Sequence, residues 1–142
     1  MDLSLIVERL KERLGGLRSV GASADLDAAI EGVIALPAAF VLPLAESAWD
    51  SGLTGGTGQR VVQAFGVLHA VTNRRDAQGG AALNDLKALR LALRAALVGW
   101  VPFAATGDPV LFTSGRLLSL DGDGRLWWMD EFQLTTYYWS LP

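Results

Sequence analysis

The sequence predicts an α+β domain in which helices pack on one face of a mainly antiparallel sheet. Its elements occur in the order helix, strand, helix, strand, strand, helix, strand, strand. Apart from the first helix and the last strand, this order matches the βαββαβ pattern of split βαβ sandwiches. The chain has 142 residues and shows no internal repeat and no linker. We therefore expect a single domain over residues 1–142.

The first part of the chain predicts two amphipathic helices separated by a short strand. Apolar residues recur at helical spacing from Asp2 to Leu14, and Gly15-Gly16 ends that helix. Leu17 to Val20 is consistent with a short strand. Ser23 is the expected N-cap of a second helix, which Pro37 stops.

The longest predicted strand runs from Arg60 to Asn73. Both of its faces are apolar, which is typical of a central strand covered on both sides. Such a run spans roughly 46 Å, so either Gly66 breaks it with a bulge or one end projects as a hairpin arm. The strand before it, Phe40 to Leu44, contains Pro43, which favours a sheet edge or a strand end. The segment from Glu46 to Gly58 is rich in Gly, Ser and Thr and joins the two strands as a long hairpin connection.

The last part of the chain predicts a third helix and a hairpin. Leucines recur at helical spacing from Leu83 to Leu97. Strands are predicted from Val110 to Leu120 and from Arg125 to Trp139, joined by the Asp-Gly-rich turn Asp121 to Gly124. Alternation along the final strand sends one set of large side chains under the helices (Trp128, Phe132, Leu134, Tyr138) and the other to the outer face (Trp127, Met129, Tyr137, Trp139).

The chain contains more apolar residues than a small domain with a polar surface needs. Hydrophobic residues make up 51% of the chain and charged residues 19%. The longest uncharged apolar run, Val33 to Ala45, is too short to span a membrane and contains two prolines. The N-terminus has neither the basic start nor the apolar stretch of a signal peptide. The excess apolar surface therefore predicts a subunit interface.

Several classes of site are excluded by residue content. The chain has no cysteine, which rules out disulfides, thiolate metal sites and cysteine nucleophiles and suits the cytoplasm. Its net charge is -3, and the longest basic cluster is the pair Arg74-Arg75. No surface for binding nucleic acid is predicted.

No active site is predicted. His69 is the only histidine, and its position within the long strand favours a core or interface residue over a catalytic base, because no nucleophile motif or second ligand accompanies it. Asp130 and Glu131 are adjacent in a strand and therefore point to opposite faces, unlike a hydrolase pair.

No cofactor or metal site is predicted either. The Asp121 to Gly124 turn resembles the start of a calcium loop, but Arg125 and Phe132 stand where oxygen ligands are needed. The glycine-rich segment Gly52 to Gly58 is followed by neither the lysine nor the helix of a phosphate-binding loop.

The sequence resembles the tail terminator proteins of tailed phages and prophages along nearly its whole length. The similarity lies in the N-terminal amphipathic helix and in four further segments: LPAAFVLPLAE (Leu36 to Glu46), QRVVQAFGVLHAVTNRRD (Gln59 to Asp76), DLKALRLALRAALVGWVP (Asp85 to Pro102) and LWWMDEFQLTTYYW (Leu126 to Trp139). The resemblance implies a non-enzymatic α/β subunit of the virion tail, assembled in the cytoplasm of the bacterial host. Such subunits form a ring, typically a hexamer, on the head-proximal end of the tail tube, where they end tube polymerisation and offer a docking surface to the head-to-tail connector.

The resemblance also implies partners. These are other copies of the chain, the tail tube protein and the head-to-tail connector protein, with DNA only passing through the lumen and no membrane. An acidic chain suits such a lumen, because basic residues would bind the phosphates and retard the DNA.

Contact candidates follow from the resemblance and from position. The segment from Ser47 to Gly58 is expected to order on the tail tube or on a neighbouring subunit. Trp49 is a large apolar residue in this polar segment, so we expect it either to dock on a partner or to fold back on its own domain. The full set of candidates is Trp49, Leu53, Gln59, Arg60, His69, Trp127, Tyr137 and Trp139.

Two alternatives remain open from the sequence. The first is another phage head-to-tail or tail completion protein, which would bind the connector and not the tube. The second is a small-molecule-binding α+β domain or enzyme that uses the sheet face as its pocket. An enclosed cavity lined by His69 and a few polar groups would favour it.

Overall fold

A computed structural model describes residues 3–32, 34–49, 56–72, 80–103, 108–120 and 124–140. The helices are α1 (Ser4–Arg13), α2 (Leu26–Ile30) and α3 (Gly80–Leu97), and a 3-10 turn (Ser23–Asp25) precedes α2. The strands are β1 (Ser19–Ala22), β2 (Ala38–Ala48), β3 (Thr57–Thr72), β4 (Leu111–Leu120) and β5 (Arg125–Ser140). These elements confirm the predicted α+β class. No helix within the described ranges is long and apolar enough to cross a membrane.

The five strands form one sheet in the order β1-β2-β3-β5-β4. β1 pairs with β2 in parallel, and every other pairing is antiparallel. The prediction of a mainly antiparallel sheet is therefore confirmed, and the strand predicted from Arg60 onward lies at its centre. β1 and β4 are the two edge strands.

The two apolar faces of β3 pack into different clusters. On the face that carries the two long helices, β3 contributes Phe65 and Val67 to a core with α1 and α3. On the opposite face, Leu68 and Ala70 pack with Trp127 and with Ala29 of the short helix α2. The helix α2 is only five residues long, so it covers just part of this second face. It therefore accounts for only part of the apolar pattern found on both faces of β3.

β3 runs without interruption through Gly66, so a bulge at this residue, the first of the two predicted alternatives, is absent. The pairing of β3 with β5 is continuous from Thr57 to Thr72. Gly66 is needed for a different reason, because a Cβ atom there would lie 2.5 Å from the Sδ atom of Met129. The register irregularities lie elsewhere, in β2 between Pro43 and Ala45 and in β4 between Phe112 and Ser114 and between Leu117 and Ser119.

Some predicted boundaries were wrong in detail. Pro43 does not end its strand, because a bulge lets β2 continue to Ala48. The first strand begins at Ser19, two residues later than expected. Ser23 lies within the 3-10 turn, and Asp25 occupies the N-cap position of α2 without a side-chain capping bond. Residues 50–55 of the long connection and residues 121–123 of the Asp-Gly turn lie outside the described residues.

Candidate interaction surface

Three strands continue beyond both edge strands and form an extension that we call the arm (residues 45–49, 57–61 and 134–140). β1 pairs only with residues 38–41 of β2, and β4 reaches no further along β5 than Gln133. Beyond these limits β3 remains paired with β2 on one side and with β5 on the other. The structure therefore favours the projecting arm, the second of the two arrangements that the length of the strand suggested.

Aromatic side chains and one arginine cover the outer face of the arm. The backbone N–H of Trp49 donates to the carbonyl oxygen of Arg60 at 2.9 Å, and the Arg60 guanidinium lies 4.5 Å from the centre of the Trp49 ring. Arg60 also stands opposite Tyr137 on β5. The rings of Tyr137 and Trp139 stack at 6.0 Å with an angle of 21°. We call these four residues the arm surface.

The arm surface is apolar, prominent and held in place. Trp49 is 56% exposed and Trp139 is 68% exposed. Their positions are restricted by the arginine–ring and ring–ring contacts, and the Gln59 side chain donates to the Trp49 carbonyl at 3.4 Å. Tryptophan, tyrosine and arginine are the residues that most often dominate the binding energy of protein interfaces. This arrangement suits a contact with another protein.

The structure brings together five of the eight residues that the sequence singled out. These are Trp49, Gln59, Arg60, Tyr137 and Trp139. Trp127 is only 8% exposed and packs beneath α2, and His69 is fully buried. Neither of these two reaches the arm surface, and Leu53 lies outside the described residues.

A buried charged cluster lies beneath α3, and the sequence did not reveal it. One oxygen of the Asp130 carboxylate accepts from Arg90 Nη2 at 2.9 Å and from Trp128 Nε1 at 3.0 Å. The other accepts from His69 Nε2 at 3.1 Å, so that this nitrogen must carry a proton. The residues come from α3, β3 and β5. One feature of the sequence could have indicated this cluster. Asp130 is a charged residue at an inward-facing position of β5, on the same face as the core residue Phe132.

The Asp130 carboxylate is fully hydrogen-bonded, whereas Nδ1 of His69 is buried without a hydrogen-bond partner. Burial alone raises the pKa of the Asp130 carboxyl, but hydrogen bonds from His69, Arg90 and Trp128 outweigh it and lower that pKa from 3.8 to about 2. His69 and Asp130 are both fully buried, so neither lines an accessible cavity. No metal-binding group of His, Asp and Glu residues is present in the described part of the chain. The cluster therefore acts as a structural link between α3 and the sheet.

The fold and the arm together define an α+β domain with an exposed aromatic contact surface. The sequence matches the family model described as phage tail terminator protein over residues 1–139. The chain therefore belongs to the phage tail terminator family and is a structural protein of a phage-type tail.

A solved structure supports the fold. A chain in the structure titled "Virion of native gene transfer agent (GTA) particle" is similar to this protein with a TM-score of 0.54 and 17% identity, over 92% of this chain and 90% of that chain. At this level of identity the similarity concerns the fold alone. No curated protein matches the sequence.

Proposed function

We propose that the protein is a non-enzymatic tail terminator that forms a hexameric ring on the head-proximal end of the tail tube. The ring stops the addition of tube subunits and presents the surface on which the head-to-tail connector docks. Membership of the terminator family supports this role. The arm surface is the structural observation that carries it, because it supplies a rigid aromatic patch for a protein partner.

In this proposal the arm surface binds the tail tube protein. Trp49 and Trp139 are both more than half exposed, so that a partner can remove a large apolar area from water. Arg60 lies over the Trp49 ring and adds hydrogen-bond donors at the centre of the patch. The net charge of -3 suits a lumen through which DNA passes without binding.

No catalytic role is part of the proposal. The best titratable candidates, His69 and Asp130, are fully buried and hydrogen-bonded to each other. This arrangement gives no support to the pocket-bearing alternative, which an enclosed cavity lined by His69 would have favoured.

The test is an assay of tube length. The tail tube protein is allowed to polymerise with and without this protein, and tubes are measured by electron microscopy. We expect the wild-type protein to arrest elongation. Trp49→Ala combined with Trp139→Ala should weaken capping at least tenfold, since losing one interface tryptophan costs about 2 kcal/mol or more.

The matched control is Leu91→Ala on α3, where the replaced side chain is 58% exposed and lies on another element. It should cap tubes as the wild type does. Wild-type protein that leaves elongation unchanged contradicts the terminator role. A double variant that caps normally contradicts the role of the arm surface and leaves the terminator role standing.

A further inference from the structure

The sheet ends in two different open edges. β4 pairs with β5 alone and β1 with β2 alone among the described residues. The backbone groups along the outer side of an edge strand are available to pair with a strand of another chain. A closed ring of identical subunits needs two different surfaces that match each other, and two unlike sheet edges are suitable.

The β4 edge is unusually apolar. Arg116 is the only charged residue of the strand, and its side chain is 68% exposed. Edge strands of monomeric proteins are usually protected by charged residues, and this one instead exposes leucines. Four leucines of β4 are 45–57% exposed: Leu111, Leu117, Leu118 and Leu120.

The β1 edge lies in a concave surface. Two adjoining grooves, of about 540 and 520 Å³, run along β1 beside α1, and Val20, Gly21 and Asp25 line both of them. Apolar side chains contribute to their walls, namely Leu3, Val7, Leu14, Leu17, Ile34 and Phe40. Charged residues of both signs, Glu8, Lys11 and Arg18, lie among them. The edge is thus open and has apolar depressions next to it.

The strand register places opposite charges at the same height on the two edges. Gly21 of β1 and Arg116 of β4 lie at the two ends of one row of paired residues across the sheet. The residues between them in this row are Phe40, Leu68 and Met129. The carboxylate of Asp25 fills the space above Gly21, because a Cβ atom there would lie 2.5 Å from Asp25 Oδ2. The Ala22 N–H donates to the same oxygen at 2.9 Å. Arg116 and Asp25 therefore share a height and a face of the sheet.

A matching apolar pair lies one residue further along, on the opposite face. Val20 connects through Ala39, His69 and Trp128 to Leu117. Leu117 is 54% exposed, and Val20 lines both grooves. An exposed leucine on one edge thus stands level with an apolar depression on the other.

The wider charge distribution follows the same division. Residues 19–48, which contain β1, α2 and β2, hold four acidic residues and no lysine or arginine: Asp25, Asp27, Glu31 and Glu46. Residues 80–120, which contain α3 and β4, hold four basic and two acidic residues: Lys87, Arg90, Arg94 and Arg116 against Asp85 and Asp108. β4 carries Arg116 and no acidic residue, so opposite charge favours its contact with the edge that carries Asp25 over contact between two β4 edges.

We infer that subunits join head to tail through β4 of one copy and β1 of the next. The two strands run antiparallel, because β1 is parallel to β2 and each later neighbour in the sheet reverses direction. Arg116 then faces Asp25 of the neighbouring copy, and Leu117 enters the groove beside Val20. The occupant of the β1 groove is thus a second copy of this chain. The inference rests on the ring proposed above.

Disulfide trapping tests the inference directly, since the native chain has no cysteine. Ser19 and Ser119 are level with each other through Ala38, Ala70 and Trp127. A Ser19→Cys and Ser119→Cys double variant is oxidised, both alone and in the presence of polymerised tail tubes, and separated on a non-reducing gel. We expect a ladder of dimers, trimers and larger species that ends at the closed ring.

Three controls make the trapping result specific. Each single variant should remain monomeric on the gel, as should Ser119→Cys combined with Ser47→Cys, because Ser47 is exposed on the arm and lies away from the β1 edge. A dimer formed by Ser119→Cys alone would show contact between two β4 edges and would overturn the inference. So would the absence of a ladder from the double variant in both conditions.

Charge reversal provides a second test. Arg116→Glu and Asp25→Arg should each raise the concentration needed for assembly about tenfold, measured by light scattering. The combination of both should restore assembly, and failure to do so would contradict the Arg116 and Asp25 pairing.

The edge contact and the terminator role can fail separately. A ladder without tube capping would support the edge contact and contradict the terminator role. Tube capping without a ladder would support the terminator role and contradict the edge contact.

Discussion

Asp130 links three elements in the interior of this domain. Its carboxylate accepts hydrogen bonds from Arg90, Trp128 and His69, which belong to three different elements. A buried charge is tolerated only when it is fully paired. The sequence placed Asp130 correctly on the opposite face from Glu131, and Glu131 is partly exposed beside Arg116. It did not identify the partners, because Arg90 is forty residues away in the chain.

Replacing Asp130 should change both stability and its dependence on pH. Asp130→Asn removes one member of a buried ion pair, so we expect a loss of about 3 kcal/mol at neutral pH. The pKa of Asp130 is lowered to about 2 in the folded protein, so the contribution of its ionised form, about 2 kcal/mol, is present above pH 4 and is lost as the pH falls towards 2. The difference between wild type and variant should therefore shrink over this range.

Urea unfolding at a series of pH values measures this effect. Glu131→Gln is the matched control, since that neighbouring carboxylate is partly exposed and makes only a 3.8 Å contact with Arg116. It should change the free energy of unfolding by less than about 1 kcal/mol. Parallel pH curves for wild type and Asp130→Asn would contradict the stabilising role of the charged form.

At the scale of secondary structure, the backbone of β4 passes close to the Arg90 side chain of α3 at Gly115. A Cβ atom at this position would lie 2.6 Å from Asp130 Oδ1 and 2.7 Å from Arg90 Nη2. Gly115 therefore lets β4 pass beside the charged cluster without displacing its hydrogen bonds. A further contact in the same region is that of Arg94 with Phe112, at 5.2 Å from guanidinium to ring centre.

Gly115→Ala should lower the free energy of unfolding by about 2 kcal/mol, because the added methyl group overlaps atoms that are fixed by hydrogen bonds. Gly15→Ala is the control, since a Cβ atom there meets nothing within 4 Å. Denaturant unfolding of both variants provides the comparison. Equal stabilities would show that β4 moves away from α3 without cost.

The long strand β3 shows why one sequence pattern was open to two interpretations. Its length allowed either a bulge at Gly66 or a projecting arm, and both were consistent with the alternating apolar residues. In the structure β3 stays paired with β5 through Gly66, and the side chain of Met129 lies over this glycine. A glycine that makes room for a neighbour and a glycine that bends a strand have the same local sequence, so only the packing distinguishes them.

For the molecule as a whole, the arm surface and the two sheet edges are separate regions. The arm lies beyond the ends of β1 and β4, whereas the proposed subunit contact uses those two strands. In the two proposals above, the arm surface binds the tail tube and the two sheet edges bind neighbouring copies. This separation means that one function can be removed while the other is kept.

The arm variant should therefore inhibit the wild-type protein. Trp49→Ala combined with Trp139→Ala should keep stability within about 0.5 kcal/mol, since both side chains are mostly exposed. Its subunits should enter mixed rings and reduce tube capping in proportion to their share. The measurement is tube length at a constant total protein concentration, with Leu91→Ala as the control that leaves capping unchanged. An arm variant that does not enter the assemblies would show that the arm is needed for ring formation.

The sequence by itself determined the class of fold, the central position of the strand predicted from Arg60 onward and the alternation that sends Trp128 and Phe132 under the helices. These features depend on local periodicity, which a single chain carries in full. It also determined, through its resemblance to a known family, the structural role in a phage tail.

Only the tertiary structure decided which candidate residues meet. It joined Trp49, Arg60, Tyr137 and Trp139 on one surface and buried His69 and Trp127 elsewhere. It also brought Asp130 to Arg90. The physical reason is that such contacts depend on strand register and on pairing between distant segments, and these follow from the packing of the whole sheet.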